Sequence, residues 1–109
     1  MKIKKAKDVK GTVELPGVVK REVVSASDGA PNFCMRVFEV QPGSTTPSHS
    51  HNWEHEMYFL EGQGVAVGPQ GETSVSKDSV VFVPANEHHC IINKGKDVMR
   101  LICVIPFVK

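Results

Sequence analysis

All five histidines of the chain lie between positions 49 and 89, in two groups. The first group reads His49-Ser50-His51-Asn52-Trp53-Glu54-His55. Neutral imidazole is a common ligand for Zn, Cu, Fe, Ni and Mn, and an ion needs its ligands to converge from one wall. Strand side chains alternate between faces, so residues 49, 51, 53 and 55 share one parity. If the segment is extended, three imidazoles point one way while Glu54 and Glu56 point the other. The second group, Glu87-His88-His89, offers a fourth ligand from a distant strand. Periodicity alone does not separate His88 from His89. A pair of histidines two residues apart is a weak signal, because most histidines are surface residues or satisfied core residues. A third on the same face strengthens it.

The same parity places Trp53, Met57 and Phe59 on the side of the histidines. Ordinary core packing competes with a pocket role for all three. Met35, Phe33, Phe38 and Phe107 are further candidates to line or cap a cavity. Arg36 and Arg100 fall inside strand-like runs, where a charge needs a partner or a ligand. A strand arginine faces solvent more readily than it is buried without a partner. Either arginine, if it faced the lumen, would instead hold an anionic substrate. Tyr58 and Cys90 have the wrong parity for the site. No dedicated acid or base stands out, and His88 is the one candidate proton donor. Cys34, Cys90 and Cys103 form no CxxC pair, and their odd number argues against a disulfide framework. They are expected as buried free thiols.

The elements that must hold these residues are short strands. Turn signals such as Leu15-Pro16-Gly17, Gln41-Pro42-Gly43, Gly68-Pro69-Gln70-Gly71 and Pro84-Ala85-Asn86 punctuate the chain. Between them lie runs rich in Val, Ile, Phe and Thr, which predict strands over 18–25, 33–41, 54–61, 64–68, 73–76, 80–84, 89–93 and 98–105. No window keeps a 3.6-residue apolar period, so no substantial helix is expected. The run 33–41 carries Arg36 and Glu39 on opposite parities, and the last run is apolar almost throughout. Strands apolar on both faces are covered on both sides, by a second sheet, a barrel lumen or a subunit. Short strands at this spacing indicate a sandwich or barrel.

The totals bound the rest. A chain of 109 residues makes one domain with a core of its own. Thirteen Lys and Arg against twelve Asp and Glu leave a net charge of +1, with no basic excess for nucleic acid. The basic start Met1-Lys2-Ile3-Lys4-Lys5 has no apolar run behind it, so neither a signal peptide nor a membrane anchor is expected. The expected setting is the cytoplasm.

Residues 43–62 run from Gly43 through His49, His51 and His55 to Gly62, and resemble the first cupin motif, G(X)5HXH(X)3–4E(X)6G. Residues 78–93 run from Asp78 through Pro84, Asn86 and His89 to Asn93, and are similar to the second, G(X)5PXG(X)2H(X)3N. Together the motifs cover about a third of the chain. The resemblance implies an all-β jelly-roll β-sandwich barrel of the small, single-domain cupin type. The domain would span 1–109, with a core barrel over about 33–106 and N-terminal strands over about 9–26 at a dimer interface. It implies one divalent transition-metal ion (Mn, Fe, Cu, Ni or Zn) per chain, held by His49, His51, His55 and His89. The count in the second motif selects His89 and leaves His88 to the rim. His55 stands where the family usually has Glu. Glu56 fits the longer spacing but has the wrong parity and misses the count to Gly62. Asp78 and Asn86 replace motif glycines, and both residue types tolerate left-handed turns.

Four imidazoles leave a divalent ion its full charge, which favours anionic oxygen ligands and Lewis acidity. If octahedral, such an ion keeps two positions open for a bidentate substrate, or for substrate and dioxygen. The leading expectation is a metal-dependent, dioxygenase-like oxygenase acting on a small organic molecule. The pocket would be formed by Trp53, Met57, Phe59, Met35, Arg36 and His88. The alternatives are a metal-dependent isomerase, lyase or decarboxylase, and a non-catalytic binding or sensing module. The resemblance also implies a homodimer, formed through the strand near 18–25 and the apolar last strand. No nucleic-acid or membrane partner is expected.

Overall fold

The computed structural model describes residues 1–107. Strands dominate them: β1 (Thr12–Leu15), β2 (Val18–Val24), β3 (Phe33–Val40), β4 (His55–Glu61), β5 (Gln63–Gly68), β6 (Gly71–Ser76), β7 (Val80–Val83), β8 (Cys90–Asn93) and β9 (Met99–Pro106). The helical content is two three-residue 3-10 turns, Ala6–Asp8 and Ala26–Asp28. The strands form two sheets, ordered β1-β2-β3-β9-β4-β7 and β6-β5-β8. Every pairing is antiparallel. The all-β sandwich expected from the sequence is therefore present. Strand β1 lies within the N-terminal strands expected over about 9–26, although its four residues are too few to display a period of two of their own.

The mixed pattern of β3 follows from its central place between β2 and β9. Cys34, Arg36, Phe38 and Val40 share one parity and are buried. Arg36 is opposite Cys103 on β9, and Cys103 is opposite Met57 on β4, so this row points between the sheets. Glu39 lies on the other face with Arg21 at 3.0 Å and Arg100 at 3.8 Å. Strand β9 is apolar on both faces for the same reason. Its Met99, Leu101 and Cys103 are buried, and its Ile102 and Val104 are half-buried on the outside.

The core is built on Phe59, Leu101, Met99, Val18, Val40 and Ile91. Each such side chain contributes about 1.5–3 kcal/mol by leaving water. Gly62 closes β4 with φ +98°, and a Cβ there would stand 2.6 Å from the Met99 Cα. Only glycine meets both demands.

Two features bear on the site and on assembly. Residues 44–49 run antiparallel to β8, with isolated bridges Thr45–Ile92 and His49–His89. They extend the small sheet toward the open end of the sandwich. On the outside of the large sheet, Phe33, Met35, Tyr58, Val80 and Phe82 are exposed. Strands β2 and β9 are the ones expected to serve assembly. Both are paired on two sides, and the edges of the sheet are β1 and β7. No helix among the described residues is long and apolar enough to cross a membrane.

Candidate metal centre

Three different elements deliver the four imidazoles. His55 is the first residue of β4 and is buried. His89 immediately precedes β8 and is also buried. His49 reaches it through paired backbone hydrogen bonds, His49 N to His89 O at 3.2 Å and His89 N to His49 O at 3.0 Å. His51 lies in the irregular stretch before β4, where its carbonyl accepts a hydrogen bond from the Asn86 amide. The extended run assumed for 49–55 is thus broken at 51–54, and parity alone does not explain the convergence. Pairing to residue 89 and the Asn86 contact do that work.

The rings nonetheless meet. Centroid separations are 4.1 Å for His49–His51, 5.3 Å for His49–His89, 5.5 Å for His51–His55, 4.7 Å for His55–His89 and 6.5 Å for His49–His55. An ion about 2.1 Å from each ring nitrogen would leave neighbouring ring centres roughly 4.5–5.5 Å apart. The spacing fits, while the ring orientations do not yet converge. His51 lies flat against Trp53, with centroids 4.2 Å apart and planes at 7°. Among the described residues, no group of three or more His, Cys, Asp or Glu side chains is already aimed at one point. Turning the His51 ring off Trp53 is a side-chain rotation, small beside the backbone placement that gathers the four rings.

The ring nitrogens carry the stronger indication. His89 Nδ1 lies 3.0 Å from the Glu87 carbonyl. As an N–H it donates there and leaves the Nε2 lone pair free, the arrangement typical of ligating histidines. His55 Nδ1 lies 3.4 Å from the Cys103 sulfur, and His55 Nε2 is buried with no hydrogen-bond partner. An orphaned buried nitrogen is costly unless something accepts or coordinates it. Burial, followed by the neighbouring histidines and Arg36, lowers the pKa of His49 and of His55 to about 4, and burial lowers that of His51. These three rings are neutral near pH 7 and have lone pairs to offer. The donor set therefore fits a divalent transition metal.

The histidines line a cavity of about 80 Å³. Of the other expected pocket residues, Trp53, Met57 and Arg36 line it, as does Phe38. Arg36 corrects the sequence preference for a solvent-facing guanidinium. It is 9% exposed and sits on the inward row of β3. Phe59 is fully buried in the core and does not reach the cavity. Met35 is exposed on the outer face, because its parity is opposite to that of Arg36. His88 is exposed on the rim, 3.4 Å from the Ser48 hydroxyl, and it too lies outside the cavity. Phe33 is exposed and Phe107 half-buried, and neither lines it. Glu54 and Glu56 are exposed.

Sequence reasoning missed Glu14, Cys103 and Leu101 as lining residues. Glu14 comes from β1 and is paired with Lys20 at 2.8 Å. Nothing in Thr12-Val13-Glu14-Leu15 distinguishes it from a surface strand. A larger, more open cleft of about 530 Å³ also touches His89, but it has no other histidine. The functional indications stay with the smaller cavity.

Comparison with known proteins agrees with this architecture. Residues 36–105 match the family model described as Cupin domain. The chain is 29% identical over 97 residues to an oxalate-binding protein of Thermotoga maritima, covering 88% of this chain and 77% of the relative. The solved structure of the polyketide cyclase RemF from Streptomyces resistomycificus superposes with a TM-score of 0.89 at 32% identity, over 97% of this chain and 79% of the cyclase. A protein described as a predicted oxalate decarboxylase from Thermotoga maritima superposes with a TM-score of 0.84 at 19% identity, over 98% of this chain and 100% of its own, a likeness in fold.

Proposed function

This chain belongs to the cupin domain family, and from that premise we propose that it is a metal-dependent enzyme acting on a small oxygen-bearing organic substrate. His49, His51, His55 and His89 hold one divalent transition-metal ion, from among Mn, Fe, Cu, Ni and Zn. The observation that carries this reading is the orphaned, buried Nε2 of His55 in a cavity that three other imidazoles line. When bound, an ion kept at its full +2 charge by neutral ligands supplies Lewis acidity toward a substrate oxygen.

The chain's own residues define what surrounds that oxygen. Met57, Phe38 and Leu101 make an apolar wall that excludes water, while Arg36 brings a fixed positive charge. A cavity of about 80 Å³ admits only the reacting head of a substrate, since one water in the liquid already takes about 30 Å³. The remainder of a larger molecule lies at the mouth, beside Glu14 and Pro47, which also line it.

Non-redox chemistry at a carbonyl or enol, such as ring closure, isomerisation or lyase cleavage, is the reaction class we favour. Its support is the 32% identity to a polyketide cyclase over nearly the whole chain, together with the Glu14 carboxylate, which lines the cavity and is paired with Lys20. The dioxygenase-like reading is second. The all-imidazole donor set and the apolar wall favour it. Elemental analysis of protein purified without added metal tests the ion. Turnover of enolic, phenolic and dicarboxylate substrates by metal-loaded protein, with and without oxygen, then separates the classes. Product formed anaerobically supports the first, and strict oxygen dependence supports the second. Absence of bound metal, or binding without product under every condition, would overturn the enzymatic reading.

A further inference from the structure

One donor at the cavity has no acceptor, and one charge there has no counter-ion among the described residues. Trp53 Nε1 is a buried N–H without a hydrogen-bond partner. Indole nitrogen only donates, so the group pays for its burial until an acceptor arrives. The Arg36 guanidinium forms no ion pair among the described residues. Its polar contacts are Nη2 to the Cys103 sulfur at 3.0 Å and Nε to the Cys103 carbonyl at 3.5 Å. Its Cζ lies 5.3 Å from the centre of the Phe38 ring. A thiol and a ring face hold the fork in place and neutralise none of its charge. Both residues line the same 80 Å³ space as the four imidazoles.

A buried charge without a counter-ion is costly. An indole N–H stranded beside it repeats the same demand with a different group. We infer that Arg36 and Trp53 form an oxyanion-binding subsite, which fixes the substrate class as an organic anion with a carboxylate or enolate oxygen next to the metal-directed oxygen. The planar guanidinium suits two oxygens of one carboxylate, or the paired oxygens of an enolate. Trp53 donates a further hydrogen bond to the same group. Glu14, the carboxylate at this cavity, is occupied by Lys20 and does not meet the Arg36 charge.

This inference rests on the metal-dependent reading, and the test separates the two. Trp53 is the single tryptophan of the chain, so intrinsic fluorescence reports directly from the subsite. The zinc-loaded protein is titrated with oxalate and with oxamide, its uncharged analogue of similar shape, and bound zinc is measured on the same samples. Acetylacetonate, titrated in parallel, distinguishes an enolate from a carboxylate as the preferred anion. Oxalate or acetylacetonate is expected to shift the emission saturably, and oxamide is not. Arg36→Met is expected to weaken binding of the anion about ten- to hundredfold, the worth of a charge-assisted hydrogen bond, with zinc content unchanged. Arg36→Lys, which keeps the charge without the fork, should lose less. Trp53→Phe, followed calorimetrically, should weaken binding severalfold.

If oxamide binds wild-type protein as tightly as oxalate, or if neither anion binds zinc-loaded protein, the subsite is overturned, whatever becomes of the variants. Equal anion affinity in folded Arg36→Met would overturn it as well. A protein that takes up no zinc refutes the metal reading. The same titrations on that metal-free protein still decide whether anion binding depends on Arg36.

Discussion

His55 Nδ1 lies 3.4 Å from the sulfur of Cys103, and that contact decides which nitrogen of the ring faces the cavity. With Nδ1–H donating to the sulfur, the Nε2 lone pair is the one presented. The register explains the meeting. Cys103 is opposite Met57, two residues after His55 on β4, and opposite Arg36 on β3. Cys103→Ala should therefore lower metal affinity about ten- to hundredfold, the usual cost of removing a partner that orients a ligand. Cys103→Ser should retain most of it. Competition against a chromogenic chelator measures both, and unchanged affinity in Cys103→Ala would reduce the sulfur to a packing role.

The identity of the third ligand is open to direct test. His55 is buried in the cavity, whereas Glu56 is exposed on the outer face and opposite Phe82. His55→Ala should lose bound metal by about a hundredfold in affinity or more, since even outer partners of a ligand are worth up to that. Glu56→Ala and His88→Ala should keep a full complement. Retention in His55→Ala with loss in Glu56→Ala would reverse the assignment.

Much of this was legible in the sequence, and the failures share a cause. Parity within a strand is local, so it assigned Glu54, Glu56 and Met57 to their faces and placed the strands to within a residue or two. It misled at Phe59, where the right face still leads deeper into the core than the cavity reaches. Arg36 and Met35 lie one residue apart. Which of them points inward depended on pairing with β9, a partner more than sixty residues away in the chain. The preference for a solvent-facing arginine holds for most proteins, and it failed where Cys103 and the Phe38 ring hold the guanidinium on the inward row. Glu14 and Cys103 reach the site only through tertiary placement, and no local pattern marks them.

Asn86 and Asp78 occupy glycine positions of the motif and have positive φ, +69° and +76°. Asparagine and aspartate are the non-glycine residues that adopt this conformation most readily. Asn86→Gly should leave stability within about 0.5 kcal/mol, because relief of strain offsets added chain entropy. Asn86→Val should cost about 1–2 kcal/mol. It should also disturb metal binding, because the Asn86 amide holds the His51 carbonyl. Urea unfolding and metal content of the two variants check this, and equal stability would mean the turn relaxes.

The three cysteines are buried and free. Burial raises the thiol pKa of Cys34, helped by Glu22 beside it, and burial likewise raises that of Cys103. Thiolate is the reactive form, so iodoacetamide at neutral pH should leave the native protein unmodified and alkylate three sites in denaturant. Mass spectrometry counts the adducts. Rapid native labelling of Cys103 would show that the cavity wall opens.

The expected homodimer can be tested on the outer face of the large sheet, where Phe33, Met35, Tyr58, Val80 and Phe82 are exposed. The register lays Met35, Val104, Glu56 and Phe82 in one row across β3, β9, β4 and β7, and Val37, Ile102, Tyr58 and Val80 in the next. Phe82 is 59% exposed and Val80 75% exposed. Exposed apolar side chains clustered on one face in this way, here interrupted by Glu56, mark association surfaces. A second copy is the occupant that supplies an equally apolar face through two-fold symmetry. Sedimentation should give a dimer for the wild type. Phe82→Lys should shift it to monomer, because pairing would bury an uncompensated charge. The protomer should fold normally, since an exposed side chain contributes little to its core. A monomeric wild type at every concentration tested would refute the surface. A dimer untouched by Phe82→Lys would move the interface to the edges β1 or β7, whose unpaired backbone groups are the other place a second chain can add.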